Sequence, residues 1–398
     1  MLLHAPWRIG VTIAMILTLS GIDAFGGEAP SSLPAHIRFA TFNVWELSSA
    51  KLARVDAEGR GAHPQLRKAA EIIQRARPHV LLINEIDFDT GARRNATLFL
   101  ERYLKVSQGK QPPIDYPHIF FEPVNTGVPT GLDLDNDGKT DGPADAYGYG
   151  KYEGQYGMAL FSQFPIDRAG VRTFRTFKWK AMPHSLMPDG TSDKPEWYSP
   201  LEAAIFRLSS KSHWDVPVHI GPADRMGGAL AIHVLACHPT PPVFDGAEDR
   251  NGRRNFDEIR LWADYIAGDQ RASYVVDDQG RRGGLPENAR FVILGDLNAD
   301  PDKDERAYGQ AAIDPLLGSP RVHDPRPRRS GAAGWNEPAA LKTAGFGRID
   351  YVLPSVSLKV IGSSVFWPAP SDPLHRLVAE PHPSSDHRLV WVDVAATS

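Results

Sequence analysis

The stretch Phe291-Val292-Ile293-Leu294-Gly295-Asp296-Leu297-Asn298 runs four apolar residues into a carboxylate and an amide. The apolar run reads as a buried strand that delivers Asp296 at its end. Asp296 and Asn298 are two positions apart, so on an extended segment they point the same way. An Asx turn after the strand uses the same residues, with Gly295 and Pro301 in support, and the two readings are compatible. Working outward, five more polar motifs stand at the ends of apolar runs: Thr41-Phe42-Asn43, Asn84-Glu85, Cys237-His238-Pro239, Arg348-Ile349-Asp350-Tyr351 and Ser385-Asp386-His387. Their imidazoles, amides and carboxylates suit the binding of a hard divalent cation and the hydrolysis of a phosphate ester.

The elements around these motifs alternate loosely between strand and helix. Strands are predicted over Arg38 to Asn43, His79 to Ile83, Met158 to Phe161, Leu201 to Leu208, Ala229 to Ala236, Phe291 to Leu294, Tyr351 to Leu353 and Arg388 to Val394. Leu66, Ala69, Ala70, Ile73 and Ala76 form a helical stripe over His63 to Arg77, with Pro64 suited to the first turn and Pro78 as a stop. Asn255 to Ala267 is a second amphipathic helix. The pattern gives a mixed α/β fold with no internal repeat and no linker between two halves. Stretches near 122–152, 178–200, 209–228, 268–290 and 324–346 read as insertions on that core.

The six motifs, in this order, resemble the endonuclease/exonuclease/phosphatase superfamily, the deoxyribonuclease I-like metal-dependent phosphoesterases. The resemblance runs from about Phe39 to Val394 and implies one domain over residues 35–398. The implied fold is α/β (α+β): a four-layer sandwich of two packed mixed β-sheets flanked by helices, with the active site at one end. It further implies that Asn43, Glu85 and Asp386 belong to the shell of a divalent metal, magnesium (Mg2+) or manganese (Mn2+). Asp296 becomes an acid, a base or a water-orienting carboxylate, and Asn298 the holder of a phosphate oxygen. Asp350 orients His387, which acts as base or phosphate-stabilising group, and His238 contacts the scissile phosphate or protonates the leaving oxygen. A carboxylate bonded to an imidazole fixes its tautomer and raises its basicity. Glu153, Gln155 and Tyr156 precede a strand, where one of them is expected to orient His238 or touch substrate. Two departures stand out: the rigid Pro239-Thr240-Pro241-Pro242 after His238, and Asn84 where a glutamine is frequent.

Composition narrows the function. With 398 residues, 42% of them apolar, the chain can bury a large core. A formal charge of −4 and a pI near 6.4 give no global pull towards nucleic acid or anionic membranes, so any polyanion site is local. Arg8, the apolar Ile9 to Leu19 and small residues around Ala24 to Ala29 read as a signal peptide over 1–27 and a secreted or periplasmic protein. A membrane anchor is the other reading; the apolar stretch is short for a span and is cut by Gly10 and Gly21. Cys237 is the only cysteine, so neither an internal disulfide nor a cysteine-based zinc site can form, and its apolar setting reads as a buried, inert thiol.

Two local features remain. Arg250, Arg253 and Arg254 read either as a bidentate grip on phosphate or as a solvated loop paired with Asp249 and Asp257. Asp133, Asp135 and Asp137, with Gly138 and Asp141, match the first part of a calcium (Ca2+) loop, but Ala144 stands where a bidentate acid is required and Asp145 is one place late; an acidic, Gly-rich turn is the alternative. The activity implied is phosphodiester hydrolysis of the nuclease type, with nucleic acid as partner. A phospholipid head-group hydrolase, or a phosphomonoesterase on sugar or inositol phosphates, shares the same motifs. The phospholipid reading wants an exposed apolar loop, for which Lys178 to Met182 and Trp197-Tyr198 are the candidates. A non-catalytic binding module would show eroded motifs, and all six are intact.

Overall fold

The computed structural model describes residues 1, 34–188, 197–221, 230–268, 270–302, 308–331, 333–381 and 383–396, so nearly all of the expected signal peptide lies outside the described residues. The strands are β1 (His36–Leu47), β2 (Val80–Ile86), β3 (His118–Phe120), β4 (Gly157–Ser162), β5 (Arg172–Thr173), β6 (His213–Ile220), β7 (Leu230–Cys237), β8 (Arg290–Asp296), β9 (Asp350–Pro354), β10 (Val360–Val365) and β11 (Val390–Ala395). They form a six-stranded sheet in the order β10-β11-β1-β2-β4-β3 and a five-stranded sheet in the order β5-β6-β7-β8-β9. Both sheets are mixed, and both follow one plan. A parallel pair (β1 with β2, β7 with β8) is flanked by antiparallel partners (β11 and β4, β6 and β9). A parallel pair needs a long crossover, and a helix supplies it each time: Pro64–Ala76 in the first sheet, Arg250–Ile266 in the second. The repeat is structural, which is why the sequence shows none.

Side-chain alternation assigns the layers. In β7 and β8, Val234, Ala236, Val292 and Leu294 join Phe39, Phe42, Leu82 and Phe161 of the other sheet in one core. The intervening Leu235, Cys237, Phe291 and Ile293 pack on Ile259, Trp262 and Ile266 of the helix Arg250–Ile266. Helix, sheet, sheet and helix therefore stack as expected. Burial pushes the Cys237 thiol well above its ordinary pKa, as an inert core thiol requires. At Gly295 a Cβ would lie 2.1 Å from the Cys237 carbonyl oxygen, so only glycine lets β8 approach β7 here.

Three expectations are corrected. Leu201 to Leu208 is not a strand: Ser199 and Glu202 form a reciprocal capping box that starts the short helix Pro200–Ile205. The stretch 209–228 contains β6, whose Trp214, Val216, Val218 and Ile220 alternate into the core despite Pro217. The second helix starts at Arg250, so the three arginines lie in its first turns and not in a preceding loop.

The topology puts the motifs at one rim. Glu85, His238 and Asp296 stand at or just past the C-terminal ends of β2, β7 and β8, and Asn43 lies in the second half of β1. Asp350 opens β9 and His387 precedes β11, strands that run the opposite way. Parallel strands thus contribute their ends, and antiparallel strands their beginnings, to the same edge of the sandwich. Among the described residues no helix is long and apolar enough to cross a membrane.

Trp214 of β6 is fully buried and packs edge-to-face on Phe120 of the opposite sheet at 5.0 Å between centroids. Trp214→Ala is expected to cost about 3–5 kcal/mol, read as a lower guanidinium midpoint; a midpoint equal to the parent's would show that the inter-sheet seam is not stabilised here.

Candidate active site

Asp296 is the hub of the rim. Its Oδ2 accepts from Asn43 Nδ2 at 3.0 Å and lies 3.4 Å from His238 Nε2 and 3.7 Å from His387 Nε2. Its Oδ1 accepts the Asn298 backbone N–H at 3.0 Å, the Asx turn expected from the sequence. Asn43 does two jobs as well. Its Oδ1 accepts the Trp45 N–H at 3.0 Å, and its Nδ2 also donates to Glu85 Oε1 at 3.0 Å. The second Glu85 oxygen accepts the Glu46 N–H at 2.9 Å. To reach this position the chain takes left-handed backbone at Trp45, Glu46 and Glu85 (φ 44, 54 and 64°), where the β1–β2 register slips. Non-glycine residues in that region are strained, by roughly 1–3 kcal/mol each.

The two imidazoles differ in charge. His387 Nδ1 faces both Asp350 oxygens at 3.0–3.1 Å, and the Asp350 N–H is itself held by Thr343 Oγ1 at 3.0 Å. Burial works against a charge on His387, but Asp350, Asp296 and Asp386 outweigh it and raise the ring's pKa well above the imidazole range. His238 goes the other way: burial, then Lys211 and His387, keep it neutral. Its Nδ1 has no hydrogen-bond partner, and none of Glu153, Gln155 and Tyr156 orients it. Burial, reinforced by Asp350, raises the Asp296 carboxyl, against the opposing pull of His387 and Asn43. Asp296 and His387 therefore form one coupled acid–base pair.

Other expected residues are placed as follows. Asn298 donates to the Pro239 carbonyl at 3.2 Å. Tyr156 donates to Glu46 Oε1 at 3.2 Å and shares a cavity wall with Glu85 and His238. Arg254 is buried and committed to three carbonyl oxygens, those of Leu208 (2.8 Å), Tyr147 (2.5 Å) and Arg207 (2.9 Å), which leaves its fork little to offer a phosphate. Arg253 lies in the helix with its Nε unpartnered, and Arg250 pairs with Glu248. The loop carboxylates Asp133, Asp135 and Asp137 offer atoms within 4.8 Å of one another. Asp145 is not among them; its oxygens accept the N–H groups of Leu134 and Gly142 at 2.9 and 2.8 Å.

Two contributors were not read from the sequence. Lys211 is buried beside the site: burial lowers its pKa, against the pull of Glu258, Glu85 and Asp296. It stands in Ser209-Ser210-Lys211-Ser212, which reads as a polar loop. Glu258 is fully buried in the helix and accepts the N–H groups of Ser210 and Thr240, both at 2.6 Å, fixing the segments that carry Lys211 and His238. A glutamate between Phe256 and Ile259 on an otherwise apolar helix face is its only sequence signal.

The donor chemistry fits a hard cation. Burial lowers the pKa of the Lys51 amine, against the opposing pull of Glu46, Glu85, Asp87 and Asp386, so these carboxylates lie within electrostatic range of one cation. Oxygen donors of this kind suit magnesium or manganese. Asp296, Asp350 and His387 also offer atoms within 4.8 Å of one another, but Asp350 spends both oxygens on His387, which makes that trio a hydrogen-bonded relay. Two cavities open beside the relay, of about 540 and 690 Å³, and both are bounded by Pro241, Val243 and Phe244. The proline-rich departure after His238 is thus the ridge between them.

A sequence profile described as the endonuclease/exonuclease/phosphatase family matches residues 40–387. No curated protein matches the chain in sequence. Among solved structures the chain is similar to an endonuclease/exonuclease/phosphatase from Beutenbergia cavernae, at 16% identity and TM-score 0.47, over 91% of this chain and 72% of that one. It is similar to the human Nocturnin catalytic domain with bound sulfate at 15% identity and TM-score 0.47, over 91% and 93%. It is also similar to a mannosyl-6-phosphatase of Bacteroides thetaiotaomicron at 14% identity and TM-score 0.43, over 90% and 99%.

If Asp350 holds the charge on His387, Asp350→Asn should lower that ring's pKa by about 1–3 pH units. Histidine-labelled NMR of the chelator-treated protein reads this directly. A His387 titration unchanged from the parent would remove Asp350 from that role.

Proposed function

The chain belongs to the endonuclease/exonuclease/phosphatase family, a family of phosphoesterase hydrolases, and on that premise we propose that it cleaves phosphodiester bonds of the nuclease type with an activated water. The observation that carries the reading is the Asp296 carboxylate set between two imidazoles, 3.4 Å from His238 and 3.7 Å from His387. Asp296 Oδ2 takes the proton of the attacking water; the water oxygen bonds to phosphorus, and the ester oxygen leaves with its bonding pair and a proton from solvent. The charged Nε2–H of His387 neutralises a phosphoryl oxygen, and the buried Lys211 adds positive potential on the same side. His238, held neutral, binds the phosphate as a hydrogen-bonding group without adding charge. A magnesium or manganese ion held by Glu85 and Asp386, with Asn43 orienting Glu85, would lower the pKa of bound water and offset phosphoryl charge. The exposed loop that a phospholipase reading wants is missing from the expected places, because Trp179, Met182 and Tyr198 are buried.

Hydrolysis of bis-p-nitrophenyl phosphate with magnesium or manganese tests this. We expect turnover that a chelator abolishes and that Asp296→Asn or His387→Ala lowers by about 10²–10⁴. Folded, metal-loaded protein without turnover on this diester, on plasmid DNA or on inositol and sugar phosphates would sink the hydrolase reading and favour a binding module.

Export is the second part of the proposal. Expressed with its own leader in a two-membrane bacterial host, the chain should reach the periplasm with its N-terminus near residue 28. An intact chain kept in the cytoplasm would overturn it.

A further inference from the structure

The cavity of about 540 Å³ is walled mostly by chain outside the catalytic motifs, of which only Glu85 and His238 line it. Part of its lining is apolar and buried: Leu134, Ala146, Tyr198 and Phe206. The same cavity is lined by Glu85, Tyr156, Lys211 and His238, beside which the phosphate would be held. These walls are pinned. Trp197 Nε1 donates to the Leu134 carbonyl and Asn136 Nδ2 to the Trp197 carbonyl, both at 3.3 Å, which joins the acidic loop to the segment before Tyr198. Arg254 then fastens both insertions to the helix through the carbonyls of Tyr147, Arg207 and Leu208.

Three polar atoms around this cavity are buried and have no partner: His238 Nδ1, Thr240 Oγ1 and Asp135 Oδ1. Leaving such an atom unpaired costs about 1–3 kcal/mol, and native structures tolerate few. Three around one cavity point to a ligand or solvent that pairs with them. The carboxylate of Asp135 is an acceptor, and the Thr240 hydroxyl can accept as well, so the complementary group donates N–H or O–H. The exposed Tyr149 and the buried Tyr198 and Phe206 supply aromatic lining. The volume falls within the range of small-molecule sites, about 300–1,000 Å³. Among the described residues the two arginines of its lining are committed elsewhere, Arg254 to carbonyls and Arg250 to Glu248, so neither is free to grip a polymer backbone.

We infer that this cavity takes the organic group of the phosphoester, a single ring bearing hydrogen-bond donors such as a nucleoside or a sugar, so that cleavage falls on a small or terminal phosphoester and not on an internal bond of a duplex. The inference rests on the phosphoesterase reading and names the substrate class of that site.

The test is calorimetric binding to the full chain with magnesium, using adenosine 5′-monophosphate, glucose 6-phosphate and inorganic phosphate as probes. At least one ring-bearing phosphate should bind tenfold or more tighter than inorganic phosphate, and the tighter of the two identifies nucleoside or sugar. Asp135→Leu and Tyr149→Ala, each checked for a native melting transition, should shrink that ratio to within about threefold; Tyr149 is 56% exposed and its truncation leaves the core intact. Equal binding of all three probes would overturn the inference, and so would a ratio that survives both variants or plasmid nicking more efficient than hydrolysis of small diesters. Selective binding without hydrolysis of bis-p-nitrophenyl phosphate would keep the pocket and sink the hydrolase reading. Hydrolysis without selectivity would do the reverse.

Discussion

The Asn43 amide is the constraint on which the rim depends. Its one Nδ2 donates at 3.0 Å to Glu85 at the end of β2 and to Asp296 at the end of β8, and so joins the two sheets where their strands stop. Both acceptors are carboxylates, and being held by one nitrogen keeps them within about 6 Å of each other. At an effective dielectric of 20 their repulsion is about 3 kcal/mol. Three things offset it: the shared donor, the raised Asp296 pKa, and the positive charge on His387. A cation bound by Glu85 and Asp386 acts in the same direction. The charge balance of the rim is therefore a single problem, and no member of it can be changed without shifting the others.

Backbone strain collects at the same place. Glu85, Trp45, Glu46, Tyr156 and Asn298 all have positive φ without being glycine. Isolated loops would relax out of such conformations. Here they are anchored to strands whose apolar faces are wholly buried between two sheets, so the core holds the ends of β1, β2 and β8 fixed while the rim departs from ideal geometry. The crossover helices serve this anchoring, and the second does more. Glu258 and Arg254 reach from its buried face to fix the segments around Lys211, Thr240 and Tyr147.

What was legible in the sequence follows from this division. A polar residue at the end of an apolar run is visible because the periodicity stops there, and Asn43, Glu85, His238, Asp296, Asp350 and His387 all have that mark. The Asx turn at Asp296 follows from residue type and order, whereas the Asp350–His387 contact is implied by the family resemblance. Lys211 carries no such mark: it is cationic, lies in a serine-rich stretch and precedes a strand hidden by Pro217. Arg254 was legible as a cation but not in its role, because three carbonyls from residues 46 to 107 positions away claim it. Leu201 to Leu208 was misread because apolar content outweighed a local capping box that decides the backbone.

Catalytic motifs and substrate choice are thus written in different parts of the chain. In the proposed reaction the relay of Asp296, His387 and Asp350 handles phosphorus and protons, and nothing in it distinguishes one esterified group from another. Discrimination needs groups that are left unpaired when the wrong substrate binds. Thr240 and Asp135 have that property, and they lie on the ridge and in the insertion, away from the relay. With the two arginines of the cavity lining, Arg250 and Arg254, spent internally, the proposed selectivity rests on specific acceptors in the wall and not on a diffuse positive surface. A net charge of −4 fits that proposal, in which attraction for substrate is concentrated at one cavity and not spread over the surface.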